Sequence, residues 1–163
     1  NPPLRKKIIA GQDLEQEMLF FALSRIADRE SARALLPFVE KTGRTAELAL
    51  DGIANSADDS LIKPLLKLTE KETDRQKKVR LGHAVCKILE QNPKLVIDSP
   101  DRSQQLKDLV KQESPGALAE KITFYQNDLA VAEIRSFQRG ERWLLKWVDD
   151  QWTVLVRFAT WVA

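Results

Sequence analysis

Side chains able to do chemistry are few in this chain. His83 is the only histidine and Cys86 the only cysteine. Histidine works as a proton relay or metal ligand only with partners at usable spacing, and none is visible here. One thiol builds neither an internal disulfide nor a cysteine zinc site. His83 lies beside Ala84 in a helical pattern and reads as a structural or surface residue. Cys86, a turn from Leu89, reads as a small buried hydrophobe. Glycine-rich phosphate loops and the serine-elbow motif are absent. Asp58-Asp59 falls at a helix start, where acids satisfy orphan amides and the helix dipole. Asp149-Asp150 falls in a turn. Either could be half of an acid–base pair, but nothing pairs them. The expectation is a non-catalytic protein with no metal and no cofactor.

The most suggestive charges are basic. Lys63, Lys67 and Lys71 recur every four residues, which makes one stripe of a helix. Arg75, Lys77, Lys78 and Arg80 follow. Over Lys63–Arg80 these seven cations face only Glu70, Glu72 and Asp74. Such a stripe suits another protein, in particular an acidic peptide or a phosphate-bearing partner. A nucleic acid is the partner of a second class, held by Lys63, Lys67, Lys71, Lys77, Lys78 and Arg80. A merely solvated helix face is the plain alternative. The formal net charge is only +2, so bulk charge gives little push toward nucleic acid or anionic membrane.

The elements that carry these residues must come from an ordinary globular composition. Hydrophobic residues make up 43% and charged residues 31% of 163 residues, which argues against disorder. No apolar run approaches the roughly 20 residues that span a bilayer. The chain starts NPPLRKK, without Met or a signal-like region, and reads as processed or truncated. The lone thiol suits a reducing cytosol, the default compartment, though a cysteine-poor exported protein would look the same.

Residues 1–12, with Pro2, Pro3 and Gly11, read as a lead-in. Asp13 with Gln16 resembles a capping box, and Leu14, Met18, Phe21, Leu19, Leu23 and Ile26 recur at helical spacing. After a break at Asp28-Arg29-Glu30, a second helix carries Leu35, Leu36, Phe38 and Val39 and stops at Gly43. The pattern then restarts. Thr45 heads a helix with Leu48, Leu50, Ile53 and Ala54. Asp58, Asp59 or Ser60 caps another with Leu61, Ile62, Leu65, Leu66 and Leu68. At one constant offset Ala22-Leu23 falls on Ala49-Leu50, Ile26-Ala27 on Ile53-Ala54, Leu35 on Ile62 and Pro37 on Pro64. A looser third copy starts at Thr73 with Gln76, runs through Val79, Val85, Ile88 and Leu89, and sets Val96-Ile97 against Leu61-Ile62. Ser99-Pro100 and Ser114-Pro115 open two more helices, about Asp101 to Glu113 and Pro115 to Tyr125.

The stretches "ALSRIADRESARALLPFVEK" and "ALDGIANSADDSLIKPLLKL" resemble HEAT-like, armadillo-type helical repeats over roughly Leu14 to Asp98. The third copy lacks the proline of the first two, and an irregular helical bundle gives a similar pattern. The resemblance implies stacked helix pairs whose second helices line a protein-binding surface, with the Lys63 stripe on or near it and Glu40 and Arg44 alongside from the first repeat, and no catalytic residue.

From Asp128 the period changes to two. Ala130, Ala132 and Ile134; Trp143, Leu145 and Trp147; and Val154, Val156 and Phe158 line one face of a three-stranded antiparallel meander. A loop at Arg139-Gly140 pairs Ile134 with Leu145 and Ala132 with Trp147, and a second turn lies at Asp149-Asp150-Gln151. The other face carries Glu133 opposite Lys146, with Arg135, Arg142 and Arg157. The helix from Pro115 to Tyr125, with Leu118, Ile122 and Phe124, should cover the greasy face, because a lone three-stranded sheet is unstable in water. The tryptophans are therefore core. A ligand pocket walled by Trp143, Trp147 and Phe124 is the alternative. A single-strand nucleic-acid platform has only Phe137 and Trp161 to offer beside the outer arginines. The expected fold class is mainly α within α+β: a short HEAT-like α-solenoid or helical bundle over residues 13–113, closed by a helix and three-stranded meander over 114–163.

Overall fold

The computed structural model describes Met18, Ala22, residues 28–41 and residues 43–162. The chain divides into two compact units, Asn1–Asn92 and Pro93–Ala163. The lead-in and most of the first expected helix lie outside the described residues; Met18 and Ala22 are helical.

The described part of the first unit is helical. Helix α1 (Arg29–Leu35) continues into a 3-10 turn, Leu36–Phe38. Helices α2 (Arg44–Asn55), α3 (Ile62–Lys71) and α4 (Arg75–Glu90) follow. Sequence decides where each begins. Asp28 caps α1 by accepting from the Ser31 amide at 2.8 Å and its hydroxyl at 2.7 Å. Asp58 caps the 3-10 turn that leads into α3, accepting from the Ser60 amide. Asp74, rather than Thr73, caps α4 by accepting from the Lys77 amide at 3.1 Å. Gly43, not Thr45, occupies the cap position of α2.

Burial follows the helical period. In α4, Leu81, Ala84, Val85, Ile88 and Leu89 form one buried stripe. In α3 the stripe is Ile62, Leu65, Leu66 and Thr69, opposite the exposed lysines. Helix α2 buries Ala46, Leu48, Ala49, Leu50, Ile53 and Ala54, a wider arc, because it packs against both α1 and α4. Helix α4 also packs against α3.

The second unit is a sheet with one helix on it. Helix α5 (Pro100–Glu113) starts with Pro100 in its first turn. Strands β1 (Val96–Ile97), β2 (Leu118–Tyr125), β3 (Leu129–Arg135), β4 (Arg139–Val148) and β5 (Gln151–Val162) pair antiparallel in chain order. Leu106, Leu109 and Val110 of α5 meet Ala130, Ala132, Ile134, Trp143, Leu145 and Trp152 in one apolar cluster, with Ile122, Phe124, Trp147 and Val154 against it. Burying a large aromatic such as Trp143 stabilises by about 1.5–3 kcal/mol.

Several sequence expectations need correction. The sheet has five strands, not three, so the fold class is α+β with a larger sheet than the period-two stretch indicated. Residues 118–125 are strand β2, not the covering helix. Their four-residue spacing of Leu118 and Ile122 mimicked a helix, but Ile122 and Phe124 share a sheet face and "ITFY" is rich in strand formers. Gly116, at φ +86°, turns the chain out of α5 just before β2. Helix α5 provides the cover instead. It belongs to the second unit, Pro93–Ala163. Val96-Ile97, matched by sequence to the second helix of a third repeat, pairs with Tyr125 and Phe124 as β1.

Strand registers also differ. The β3–β4 turn is centred on Phe137-Gln138, closed by the Ser136 amide donating to the Arg139 carbonyl at 2.9 Å. Ala132 therefore faces Trp143, not Trp147, and Glu133 pairs with Arg142 at 3.3 Å rather than with Lys146. The shift along β4 is four positions, an even number, so the faces survive. Between β4 and β5 the faces do not all survive. Asp149-Asp150, both with positive φ, form the two-residue loop. Leu145 faces Val154, but Leu144 faces Val156, which leaves Leu155 as an extra, bulged residue. Beyond it the alternation inverts. Val156 and Phe158 lie on the face away from α5, and Arg157 lies opposite Trp143.

Candidate partner-binding site

The lysine row forms as its spacing requires. Lys63, Lys67 and Lys71 are all exposed along α3 and make no ion pair among the described residues. Four nearby cations are engaged. Arg33 Nε donates to Asp58 Oδ2 at 3.0 Å. Arg44 and Arg80 both pair with Glu47, at 3.5 and 3.0 Å. Lys77 Nζ donates to the Glu40 and Lys41 carbonyls at 3.3 and 3.2 Å and pairs with Glu72 at 3.8 Å.

At the Lys71 end of the row lies a half-open cleft of about 170 Å³, lined by Val39, Glu40, Leu68, Lys71, Glu72, Lys77 and Leu81. Val39 and Leu81 are buried and Leu68 is half-buried, so the lining mixes an apolar floor with a charged rim. Of the residues singled out by sequence, Glu40 and Lys71 meet here; Lys63 and Lys67 continue away along α3, and Arg44 belongs to the separate Glu47 group. The apolar floor was missed. Its signal was Leu68, the one leucine of α3 outside the fully buried set.

The first unit carries a second polar centre, at the turn that leads into α3. The Asp58 side chain is fully buried and accepts from the Ser60 amide at 3.1 Å, the Ser60 hydroxyl at 2.7 Å and Arg33. Burial pushes its pKa up. The Ser60 hydrogen bonds and the Arg33 charge together outweigh burial and hold the carboxyl below the usual aspartate value. Asn92, at the end of α4, donates to the Ala57 carbonyl at 3.0 Å and the Ile88 carbonyl at 2.7 Å. Ala57 itself has φ +56°, so this turn is held in an unusual backbone conformation by α1 from one side and the end of α4 from the other. The turn leads directly into α3, which carries Leu68 and Lys71.

In the alternative site, Trp143 belongs to the apolar core of the second unit and Trp147 and Phe124 pack against it. Trp143 is fully buried. Trp152 sits between the other two rings, 5.7 Å from Phe124 and 5.2 Å from Trp147, centroid to centroid. Trp152 Nε1 donates to the Arg102 carbonyl at 2.9 Å, and the Arg102 guanidinium lies 4.6 Å over the Trp147 ring. At the other end, Glu141 accepts from Trp143 Nε1 at 2.7 Å and from Arg157 at 3.3 Å, while Arg157 stacks 4.2 Å over the Trp143 ring. Two of the four tryptophans, Trp143 and Trp152, are fully core, Trp147 is half-buried, and Trp161 is exposed.

Set against protein-family models, curated proteins and solved structures, the chain has no match. Among the described residues no group of three or more His, Cys, Asp or Glu side chains could hold a metal ion, and no helix is long and apolar enough to cross a membrane. His83 is exposed and Cys86 buried, on one helix.

Proposed function

We propose that the first unit is a non-catalytic protein-interaction module of HEAT-like helix pairs, and that its α3 lysine row holds an acidic partner. The observation that carries this reading is the contrast among neighbouring cations. Arg33, Arg44, Lys77 and Arg80 are spent on internal pairs, while Lys63, Lys67 and Lys71 stand exposed and unpaired among the described residues. The packing of α2 against α4, the first helices of successive pairs, supports the repeat reading. The nucleic-acid alternative is the weaker one, since Lys77 and Arg80 of its proposed set are engaged within the protein.

The test is charge reversal. Lys67→Glu with Lys71→Glu should abolish salt-sensitive binding of an acidic peptide and leave the far-ultraviolet circular dichroism unchanged. Salt-sensitive retention of DNA or RNA by the parent protein, lost in the same variant, would instead favour the nucleic-acid reading.

A further inference from the structure

Resting on that reading, we infer that the partner is an extended acidic segment carrying one apolar anchor side chain, with the acids along Lys63, Lys67 and Lys71 and the anchor in the cleft beside Lys71.

Lysines four residues apart rise about 6 Å per step along α3. Alternate residues of an extended chain point the same way every 6.6 Å or so. Acids at every second position therefore keep pace with the row to within about an ångström over its length, well inside the reach of a lysine stem. The row also turns by about 40° around α3 at each step, because four residues overshoot one turn. A flexible extended chain follows that turn. A straight partner helix meets one or two of the lysines and leaves the third.

The row holds three lysines and no arginine. Planar, bidentate recognition of phosphate is the work of arginine; lysine meets phosphate as a point charge, so single ammonium groups at regular intervals give a phosphate no bidentate advantage and suit single carboxylates. The occupant is thus a run of Asp or Glu rather than a phosphorylated residue.

The cleft supplies the anchor and the direction. Its floor of Val39, Leu68 and Leu81 offers apolar contact to one side chain of leucine size. Lys77 ties its two sides together, donating to the Glu40 and Lys41 carbonyls on one and pairing with Glu72 on the other. Glu40, exposed on the rim, repels acids placed beyond the anchor. The partner's acids accordingly lie on one side of its apolar residue only.

Four labelled peptides titrated by fluorescence anisotropy against the full chain test this. The first has glutamates at alternate positions leading to a leucine. The second has serine for leucine, the third has a proline between the glutamates, and the fourth has phosphoserine for glutamate. The leucine peptide should bind at least about tenfold more tightly than the serine peptide. The proline peptide should match the leucine peptide, and the phosphoserine peptide should gain nothing. Leu68→Gln, on a half-buried site, should erase the leucine advantage alone. Equal binding of leucine and serine peptides, both weakened by Lys67→Glu with Lys71→Glu, overturns the anchor while leaving the lysine row intact. Loss of binding with proline overturns the extended form, and a large gain with phosphoserine overturns the carboxylate class. If no peptide binds, this inference and the proposed function fall together.

Discussion

The Asp58–Arg33 pair offers the sharpest measure of how the helices of the first unit are joined. Asp58 contributes a buried carboxylate with three donors on it, and Arg33 contributes a guanidinium more than half exposed. Asp58→Asn keeps the shape of the cap but removes the charge that Arg33 meets. A charge-assisted hydrogen bond is worth about 1.5–3 kcal/mol when dry. The exposure of Arg33 lets water screen it, so the coupling should be nearer 1 kcal/mol. A double-mutant cycle of Asp58→Asn and Arg33→Met, followed by urea unfolding at 222 nm, isolates this value. Circular dichroism suits the purpose because all four tryptophans lie in the second unit.

The pH dependence has a definite sign. The folded carboxyl sits below its ordinary value, so its contribution is complete above the unfolded pKa of about 3.9 and fades as pH falls through the lower folded value. The stability gap between parent and Asp58→Asn should therefore be constant from pH 7 to 5 and shrink below about pH 4. A coupling under about 0.3 kcal/mol, or a gap that grows on acidification, would refute the account of the pair as a join between α1 and the α3 turn.

Trp143→Ala should cost about 3–5 kcal/mol by emptying the fully buried centre of the sheet–helix core, read as an earlier urea midpoint of tryptophan emission. Gly140→Ala should displace the Trp161 ring, which occupies the space a methyl would need; acrylamide quenching should rise, and Trp161→Ala should remove the difference. Because the clash is with an exposed side chain, the stability loss should stay within about 1 kcal/mol. Arg157→Met should weaken the second unit by about 1 kcal/mol or less, since Arg157 is partly exposed where it covers Trp143 and pairs with Glu141.

Local pattern carried much of this architecture. The helical stripes of α2, α3 and α4 and the period-two runs of β3 and β4 are visible because each side chain's neighbour along the chain sits on a predictable face. The exposed lysine row follows from the same rule. What escaped was set by partners distant in sequence. Residues 118–125 satisfy both a helical and a strand spacing, and only pairing with β3 decides between them. The two residues of β1 are strand solely because Tyr125 and Phe124 lie beside them. Arg33 and Asp58 are 25 residues apart, with nothing local to link them. The cleft floor joins Val39, Leu68 and Leu81 from three segments, so it exists only once those segments pack.

The bulge at Leu155 gives β5 a spare residue. A chain shortened by that leucine could keep every cross-strand partner on both sides of the gap and lose only the local bend, because the extra residue pairs with nothing. Curvature and chemical composition would then be separable in one small sheet. The deletion asks how far the wrapping of α5 depends on a kinked strand, and how far on the greasy faces that meet there.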